Sequence, residues 1–484
     1  MTRFLPAEDY LPSGRYELLP FRFERLEGER VLLSNMAGEA LTVSSADLTT
    51  LVNGDLDRSG ALFSRLRANH FLRQPEDRAA LELLALKLRT RYARLRDFTS
   101  LHLFVVTLRC DHACRYCQVS RQSADRASFD MSRATADRAI DLLFRSPNQA
   151  LKVEFQGGEP LLNFDLIRYV VLSITERNRQ HKRDIQFVIT TTLSLISDDT
   201  LAFCREHRIV LSASLDGPED LHNANRPRPG ADSHARFVAG LEKARDVLGP
   251  EAISALMTTT AASLQRGPGI VDEYLRLGFH GIFLRHLSPY GFALKTKSYQ
   301  GYDTARWLEF YEETLTYIID LNRSGVRFTE QHAAIILRKM FSCHDPGYVD
   351  LMNPSGAGIA AIVFNYDGGV FASDESRMLM EMGDDTFRLG SVHEHGYDEI
   401  FSAPALLSAL EDSFTLSAPM CADCACEPWC GADPVYHHAR HGDPLGRKAE
   451  SGFCQRMKGM TRIFIKAMED PFVAALFRRW ALSC

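Results

Sequence analysis

The chain has 484 residues, 45% hydrophobic and 24% charged, with a formal net charge of -6. That is enough for large buried cores and for two or three domains. The mild acidity supplies no basic field for nucleic acid or an anionic membrane.

The N-terminus lacks an apolar core of signal-peptide length, and no apolar run approaches a membrane span. A cytoplasmic protein is expected, with neither nucleic acid nor membrane as partner. Thiols stay reduced in that compartment, so the eleven cysteines point to metal or catalysis rather than to disulfides.

Residues 1–75 read as a small module. Three strand-like runs, FRFERL, RVLLSN and EALTVS, are separated by turn-like Glu-Gly and Ala-Gly pairs. Helical stretches follow at 46–52 and 60–71. This pattern fits a winged-helix-like module. Residues 76–100 connect it onward through a helix over 76–96. The stretch 64–97 carries nine Lys/Arg against four acids, as a solvated helix face does.

From Leu101 strands and helices alternate. Strand-like runs occur at LHLFVVTL, LKVEFQ, IQFVITTT, IVLSASLD, ISALMTTT and GIFLRHL. One intervening helix covers 132–145, with Ser132 as its cap. Six such units predict an α/β fold: a partial (β/α)6 TIM-type barrel over 101–340, with ligands at the C-terminal strand ends. Helices are expected at 302–324 and 331–341, and Cys204 reads as a small core residue. Residues 341–484 hold strand pairs, turns, a second cysteine group and a helix over 457–468.

The first cysteine motif is Cys110-x-x-x-Cys114-x-x-Cys117, directly after the first barrel strand. Three thiolates are one short of the four that saturate a [4Fe–4S] cluster. An open metal position marks catalysis. A zinc site completed by His112 is the alternative. The motif Gly157-Gly158-Glu159-Pro160 follows the second strand and lands on the same rim.

Together these motifs resemble the radical SAM superfamily. The likeness rests on CX3CX2C with Tyr116 before its third cysteine, on GGEP, and on SLDGP followed by HNANR. It implies a [4Fe–4S] cluster on Cys110, Cys114 and Cys117 whose open iron binds S-adenosylmethionine (SAM). Tyr116 then packs near the adenine. The Gly157-Gly158-Glu159-Pro160 backbone and the Glu159 side chain receive the methionine ammonium. Arg226 pairs with the carboxylate, and Thr191, Ser214 and Asp216 complete the implied contacts. Thr191-Thr192-Leu193 stands where many relatives carry Thr-Asn-Gly.

The second motif is Cys421-x-x-Cys424-x5-Cys430 with Cys454. Its spacing suits zinc or [4Fe–4S] equally. Beside a radical SAM core it resembles the C-terminal SPASM extension. The resemblance implies one auxiliary [4Fe–4S] cluster rather than two, because Ser355, Ser373 and Pro434 occupy positions where relatives carry cysteine. Asp374 follows Ser373. Sulfatase-activating relatives place a catalytic base there; the alternative is a turn aspartate bonded to its own backbone. His437, His438 and His441 read as a solvated helix.

LPFRF, YCQVSRQS, EFQGGEPLLNF, HNANRPRPG, FLRHLSPYGFA and YDGGVFASDESRML extend the likeness to the His-Xaa-Ser system radical SAM maturases. This implies a precursor peptide with His-Xaa-Ser repeats, crosslinked or oxidised by hydrogen abstraction. It also implies a reductant such as flavodoxin or ferredoxin, and a second maturase of the same system. The N-terminal module would bind the leader by strand addition at EALTVS. The competing activities are a formylglycine-type maturase acting on Ser or Cys, an electron-transfer iron–sulfur protein and an RNA-modifying enzyme.

Overall fold

A computed structural model describes residues 16–96, 98–122, 125–299 and 302–483. Near the N-terminus, Phe21–Arg25 (β1), Arg30–Asn35 (β2) and Ala40–Ser44 (β3) form an antiparallel sheet in that order. The Ser44 hydroxyl accepts from Asp47 N, and the Asp47 carboxylate accepts from Ser44 N. This reciprocal cap starts the helix Ser45–Asn53. Helices Ala61–Ala68 and Arg78–Arg91 follow. Val31, Leu33, Leu51, Phe63, Leu66 and Phe71 make a small core of their own. The basic stretch is more than a solvated face. Arg91 is buried and donates to Ala37 O, and Lys87 pairs with Glu39.

The central sheet has eight strands. Leu101–Thr107 (β4), Ala150–Gly157 (β5), Asp184–Thr191 (β6), Val210–Ser214 (β7) and Ile253–Leu256 (β8) lie side by side, all parallel. A parallel sheet covered on both faces needs apolar residues throughout. Phe104, Val153, Phe155, Ile189 and Leu211 are accordingly buried. Ser132 caps the helix Arg133–Leu143 as expected, accepting from Thr135 N. Cys204 lies in the main core.

The expected sixth strand departs from this plan. GIFLRHL pairs only at Gly281–Ile282, with Thr329–Glu330, in a separate sheet. Further on, the Glu330 side chain takes Leu284 N at 3.1 Å. Arg285 O accepts from Thr259 N and Oγ1 at 2.9 and 2.7 Å. Side-chain groups of Glu330 and Thr259, with one backbone bond from Thr259 N, thus supply partners that a ladder would otherwise give.

At the opposite edge, Ala361–Phe364 (β9) adds parallel to β4 and leads to antiparallel Gly369–Phe371 (β10) and Arg388–Ser391 (β11). One sheet therefore runs from the partial barrel into the C-terminal region. Helix Thr304–Arg323 packs along Gly452–Ala467, and Gln331–Phe341 packs on Pro471–Ser483. Among the described residues, no helix is long and apolar enough to cross a membrane.

Candidate active site

The C-terminal ends of β4 to β8 surround a cavity of about 220 Å³. Cys110, Cys114 and Cys117 stand on one wall. Gly157 and Gly158 end β5, Thr191 and Thr192 end β6, and Ser214 ends β7; all face the same space. The two glycines are required by close packing. An added Cβ would sit 2.1 Å from Thr107 O at Gly157 and 2.2 Å from Arg109 O at Gly158.

The cysteine loop is braced from two sides. Cys117 O accepts from Phe292 N at 2.8 Å. Gly291 has φ +57, and a Cβ there would lie 2.7 Å from Cys117 O. Only glycine fits without displacing the loop. On the other side, Arg377 is fully buried and donates to Val119 O at 3.1 Å. Burial pushes the Cys114 thiol up to about 12 and raises Cys110 as well. Metal binding to these groups therefore has to release protons. His112 lies with Cys110 and Asp111 in a group compact enough to hold a metal ion. Its ring nitrogens are engaged by Asp111 at 2.8 Å and Ser233 at 2.9 Å.

Glu159 is fully buried, and its carboxylate accepts from Thr191 Oγ1, Thr192 N, Thr192 Oγ1 and Leu161 N. Burial raises its pKa against the pull of those donors. With its oxygens used inside the chain, Glu159 ties the end of β6 to the start of the short helix Pro160–Asn163. The backbone of Gly157 and Gly158, rather than this side chain, is left facing the cavity. Leu193 has a left-handed φ of +60. Its side chain is buried, and that packing offsets the strain.

Tyr116, Asp216 and Arg226 form one unit. Tyr116 OH donates to Asp216 at 2.8 Å, and Arg226 Nε lies 3.1 Å from the same carboxylate. The Arg226 guanidinium also stands over the Tyr116 ring, 5.5 Å from its centroid. Burial alone would lower the Arg226 pKa, but Asp216 raises it overall. Arg226 Nε has no hydrogen bond of acceptable geometry. Arg226 and Tyr116 line the cavity; Asp216 stands behind them, fully buried.

Asp374 reaches the same cavity from the C-terminal region. Ser373 caps its helix, Asp374–Met380, through a reciprocal pair with Ser376. The Asp374 carboxylate is held by Arg377 Nη2 at 2.8 Å rather than by its own backbone. Arg377 thus links Asp374 to the loop that carries the cysteines. Arg377 carries no local sequence signal, nor do Arg285 and Met378, which line the cavity.

A second cavity, of about 470 Å³, gathers Cys421, Cys424, Cys430 and Cys454. Lys448 and Lys458 lie on its wall and favour bound thiolate charge. Cys426, unassigned by spacing, is also there. The N-terminal sheet braces this loop. Arg22 donates to Ala422 O at 2.5 Å and pairs with Glu427 at 3.0 Å. Ser34 Oγ donates to Ala425 O at 2.7 Å, and Trp429 Nε1 donates to Gly38 O at 3.0 Å.

The three positions lacking cysteine do ordinary structural work. Ser355 Oγ accepts from Ala357 N, Ser373 caps a helix, and Pro434 opens the helix Pro434–His441. That helix is not simply solvated. His437 is buried and bonds Ser451, and His438 bonds Asp384.

Residues 104–260 match the profile of the Radical SAM superfamily. An uncharacterized protein from Methanocaldococcus jannaschii is 37% identical over 119 residues, covering 24% of this chain and 39% of that protein. A cysteine-type anaerobic sulfatase-maturating enzyme from Clostridium perfringens is 23% identical over 306 residues, covering 60% and 77%. The solved structure of anSMEcpe with bound AdoMet superposes with a TM-score of 0.63 at 16% identity, covering 78% of this chain and 99% of that one. Streptococcus suis SuiB bound to precursor peptide SuiA gives 0.53 at 17% identity, covering 90% and 98%. These likenesses show the fold. The profile match and the strand-end cavity with its three cysteines identify a radical SAM catalytic domain in this chain, which is therefore an enzyme.

Proposed function

We propose that the enzyme oxidises a side chain of a peptide substrate, and that Asp374 is the base. The observation that carries this reading is the presence of Asp374 and the three cysteines on one cavity. Cys110, Cys114 and Cys117 would hold a [4Fe–4S] cluster at that cavity, and with bound SAM it would supply the chemistry of hydrogen-atom abstraction. Arg226, Tyr116 and the Gly157–Gly158 backbone would hold SAM. The sheet below and the C-terminal region above exclude water.

Two-electron oxidation of a seryl or cysteinyl side chain removes one hydrogen atom, one proton and one electron; from serine this gives the aldehyde directly, and from cysteine a thioaldehyde that water hydrolyses to the aldehyde with release of hydrogen sulfide. The proton is the part this chain handles. Asp374 accepts it from the substrate hydroxyl or thiol while Arg377 fixes the carboxylate. An external carrier such as flavodoxin or ferredoxin exchanges the electrons. The set Cys421, Cys424, Cys430 and Cys454 holds one auxiliary [4Fe–4S] cluster. The N-terminal module, with β3 at its sheet edge, binds the peptide's leader.

Of the two substrate readings, formylglycine-type oxidation of Ser or Cys has more support. The sulfatase-maturating relative and the fold of anSMEcpe favour it. SuiB, solved with its precursor peptide, supports a peptide substrate in general. The His-Xaa-Ser precursor rests on sequence resemblance alone.

The test is anaerobic turnover of the reconstituted enzyme with a Ser/Cys peptide and with a His-Xaa-Ser repeat peptide. A product that an aldehyde-reactive hydrazide labels supports formylglycine formation. Loss of two hydrogens without labelling supports a crosslink. Unchanged mass for both peptides rejects peptide oxidation. Asp374→Asn should slow product formation by about 100-fold while 5′-deoxyadenosine still forms.

A further inference from the structure

The cysteine loop and the segment that carries Arg226 are stitched together at the backbone. Ala113 N donates to Pro227 O at 2.7 Å, and Arg115 N donates to Asn225 O at 3.4 Å. The two bonds fall on either side of Arg226, whose own N–H donates to His222 O at 2.8 Å. The loop that bears the three cysteines therefore also sets where the Arg226 side chain starts.

A buried run of side chains makes the same link by a second route. His112 follows Cys110 by two residues, and its N–H donates to Cys110 Sγ at 3.4 Å. His222 sits on the short helix Glu219–Asn225, and Ser233 opens the helix Ser233–Leu248. Ser233 Oγ lies 2.9 Å from His112 Nε2 and 3.0 Å from His222 Nε2. All three residues are buried, so their polar atoms have to satisfy one another.

The protons in this run have one consistent order. Asp216 N is a backbone donor 3.3 Å from His222 Nδ1, so that nitrogen accepts. The His222 proton is then on Nε2, which donates to Ser233 Oγ. The Ser233 hydroxyl hydrogen is left for His112 Nε2. The His112 proton therefore sits on Nδ1 and faces Asp111 Oδ1 at 2.8 Å. Ser194 Oγ donates to Asp111 Oδ2 at 2.6 Å and closes the run. Turning the Ser233 hydroxyl toward His222 would put that ring's proton on Nδ1, against the Asp216 N–H.

The far end of the run is Asp216, whose carboxylate takes Tyr116 OH at 2.8 Å and stands 3.1 Å from Arg226 Nε. The run thus begins beside Cys110 and ends on the residue that orients Arg226. Ser233 and His222 are not on the cavity wall, so any effect they have on SAM passes through their neighbours. We infer that Ser233 and His222 are positioning residues that hold the three-cysteine loop and Arg226 at a fixed separation for SAM. The inference rests on the assignment of Arg226 to SAM and extends that site to two residues behind it.

The experiment is calorimetric titration of SAM into the anaerobic, iron-replete full chain. Ser233→Ala removes the one donor to His112 Nε2 and should weaken SAM binding about 10-fold at unchanged iron content. Ser233→Thr keeps the hydroxyl and should bind SAM as the wild type does. Because the effect passes through Arg226, Ser233→Ala should add little in an Arg226→Lys background. If Ser233→Ala loses iron, His222→Asn carries the test. It keeps an acceptor beside Asp216 N, gives up the bond to Ser233 and should weaken SAM binding by a similar factor. Wild-type affinity in Ser233→Ala or in His222→Asn at full iron load overturns the inference. So do a Ser233→Thr variant as weak as Ser233→Ala, and additive effects of Ser233→Ala and Arg226→Lys. Loss of iron from every variant shows a structural role only and overturns it too. A wild-type chain that binds no SAM at full iron load would remove the SAM reading itself, whereas wild-type binding with unmoved variants removes the inference alone.

Discussion

Cys110, Cys114 and Cys117 sit on a loop that five parallel strands carry from below, whereas Cys421, Cys424 and Cys430 sit on coil. The first loop is fixed by the barrel itself and by Gly291 and Arg377. The second is fixed from outside by Arg22, Ser34 and the carbonyl of Gly38, all in the N-terminal module. Cys454 joins it from the start of a helix whose cap, Ser451, accepts from Cys454 N. The placement of Cys110, Cys114 and Cys117 is therefore a property of the sheet, while that of Cys421, Cys424 and Cys430 depends on a module far away in sequence.

Substitutions that separate the two ends sharpen this comparison. The largest effect is expected from Cys430→Ala. Product formation should fall below detection, iron should drop from about eight to about four per chain, and 5′-deoxyadenosine should still form without peptide. Loss of both activities would mean that the two ends are not independent.

Arg22→Ala comes next. It removes the bond to Ala422 O and the pair with Glu427, and leaves Glu427 buried with one partner fewer. A loss of about 1–3 kcal/mol is expected, read as a lower thermal midpoint and faster chelation of the auxiliary iron. The iron at the SAM end should be unaffected.

The smallest effect is pH-dependent and lies between the N-terminal module and the helix Arg78–Arg91. Burial would raise the Glu39 pKa, but His70, Lys87 and Asn35 pull it from 4.5 to about 2. Its folded value is depressed, so its stabilisation is present above pH 4.5 and is lost as pH falls toward 2. Glu39→Gln should cost about 1–2 kcal/mol at pH 7 and progressively less below pH 4.5. Urea titrations at both ends of that range check it; a pH-independent cost would contradict it.

How much of this could be read in the sequence follows from where the information lies. Cys110, Cys114 and Cys117, and likewise Cys421, Cys424 and Cys430, stand at spacings short enough to read directly, and the strand that precedes Cys110 is a continuous apolar run. The β/α alternation was equally plain. The failed sixth strand was not, because GIFLRHL has the same apolar pattern whether its partner is a ladder or the side chain of Glu330. The work of Glu159 was hidden for a related reason. The resemblance at Gly157–Pro160 implies a ligand contact for this acid, and only the fold shows Thr191 and Thr192 donating to both its oxygens. Arg377, Cys426 and the His112–Ser233–His222 run are products of tertiary packing, with no local signal at all. His437 was misread as solvated because helical spacing says nothing about which face is covered.

The central claim is that Cys110, Cys114 and Cys117 form the SAM-cleaving end of the enzyme. The direct measurement is 5′-deoxyadenosine formation by the anaerobically reconstituted chain with SAM and dithionite, compared with its Cys114→Ala variant. 5′-Deoxyadenosine is expected from the wild-type chain and none above background from Cys114→Ala. Equal 5′-deoxyadenosine from both, or none from the wild-type chain at full iron load, would contradict it.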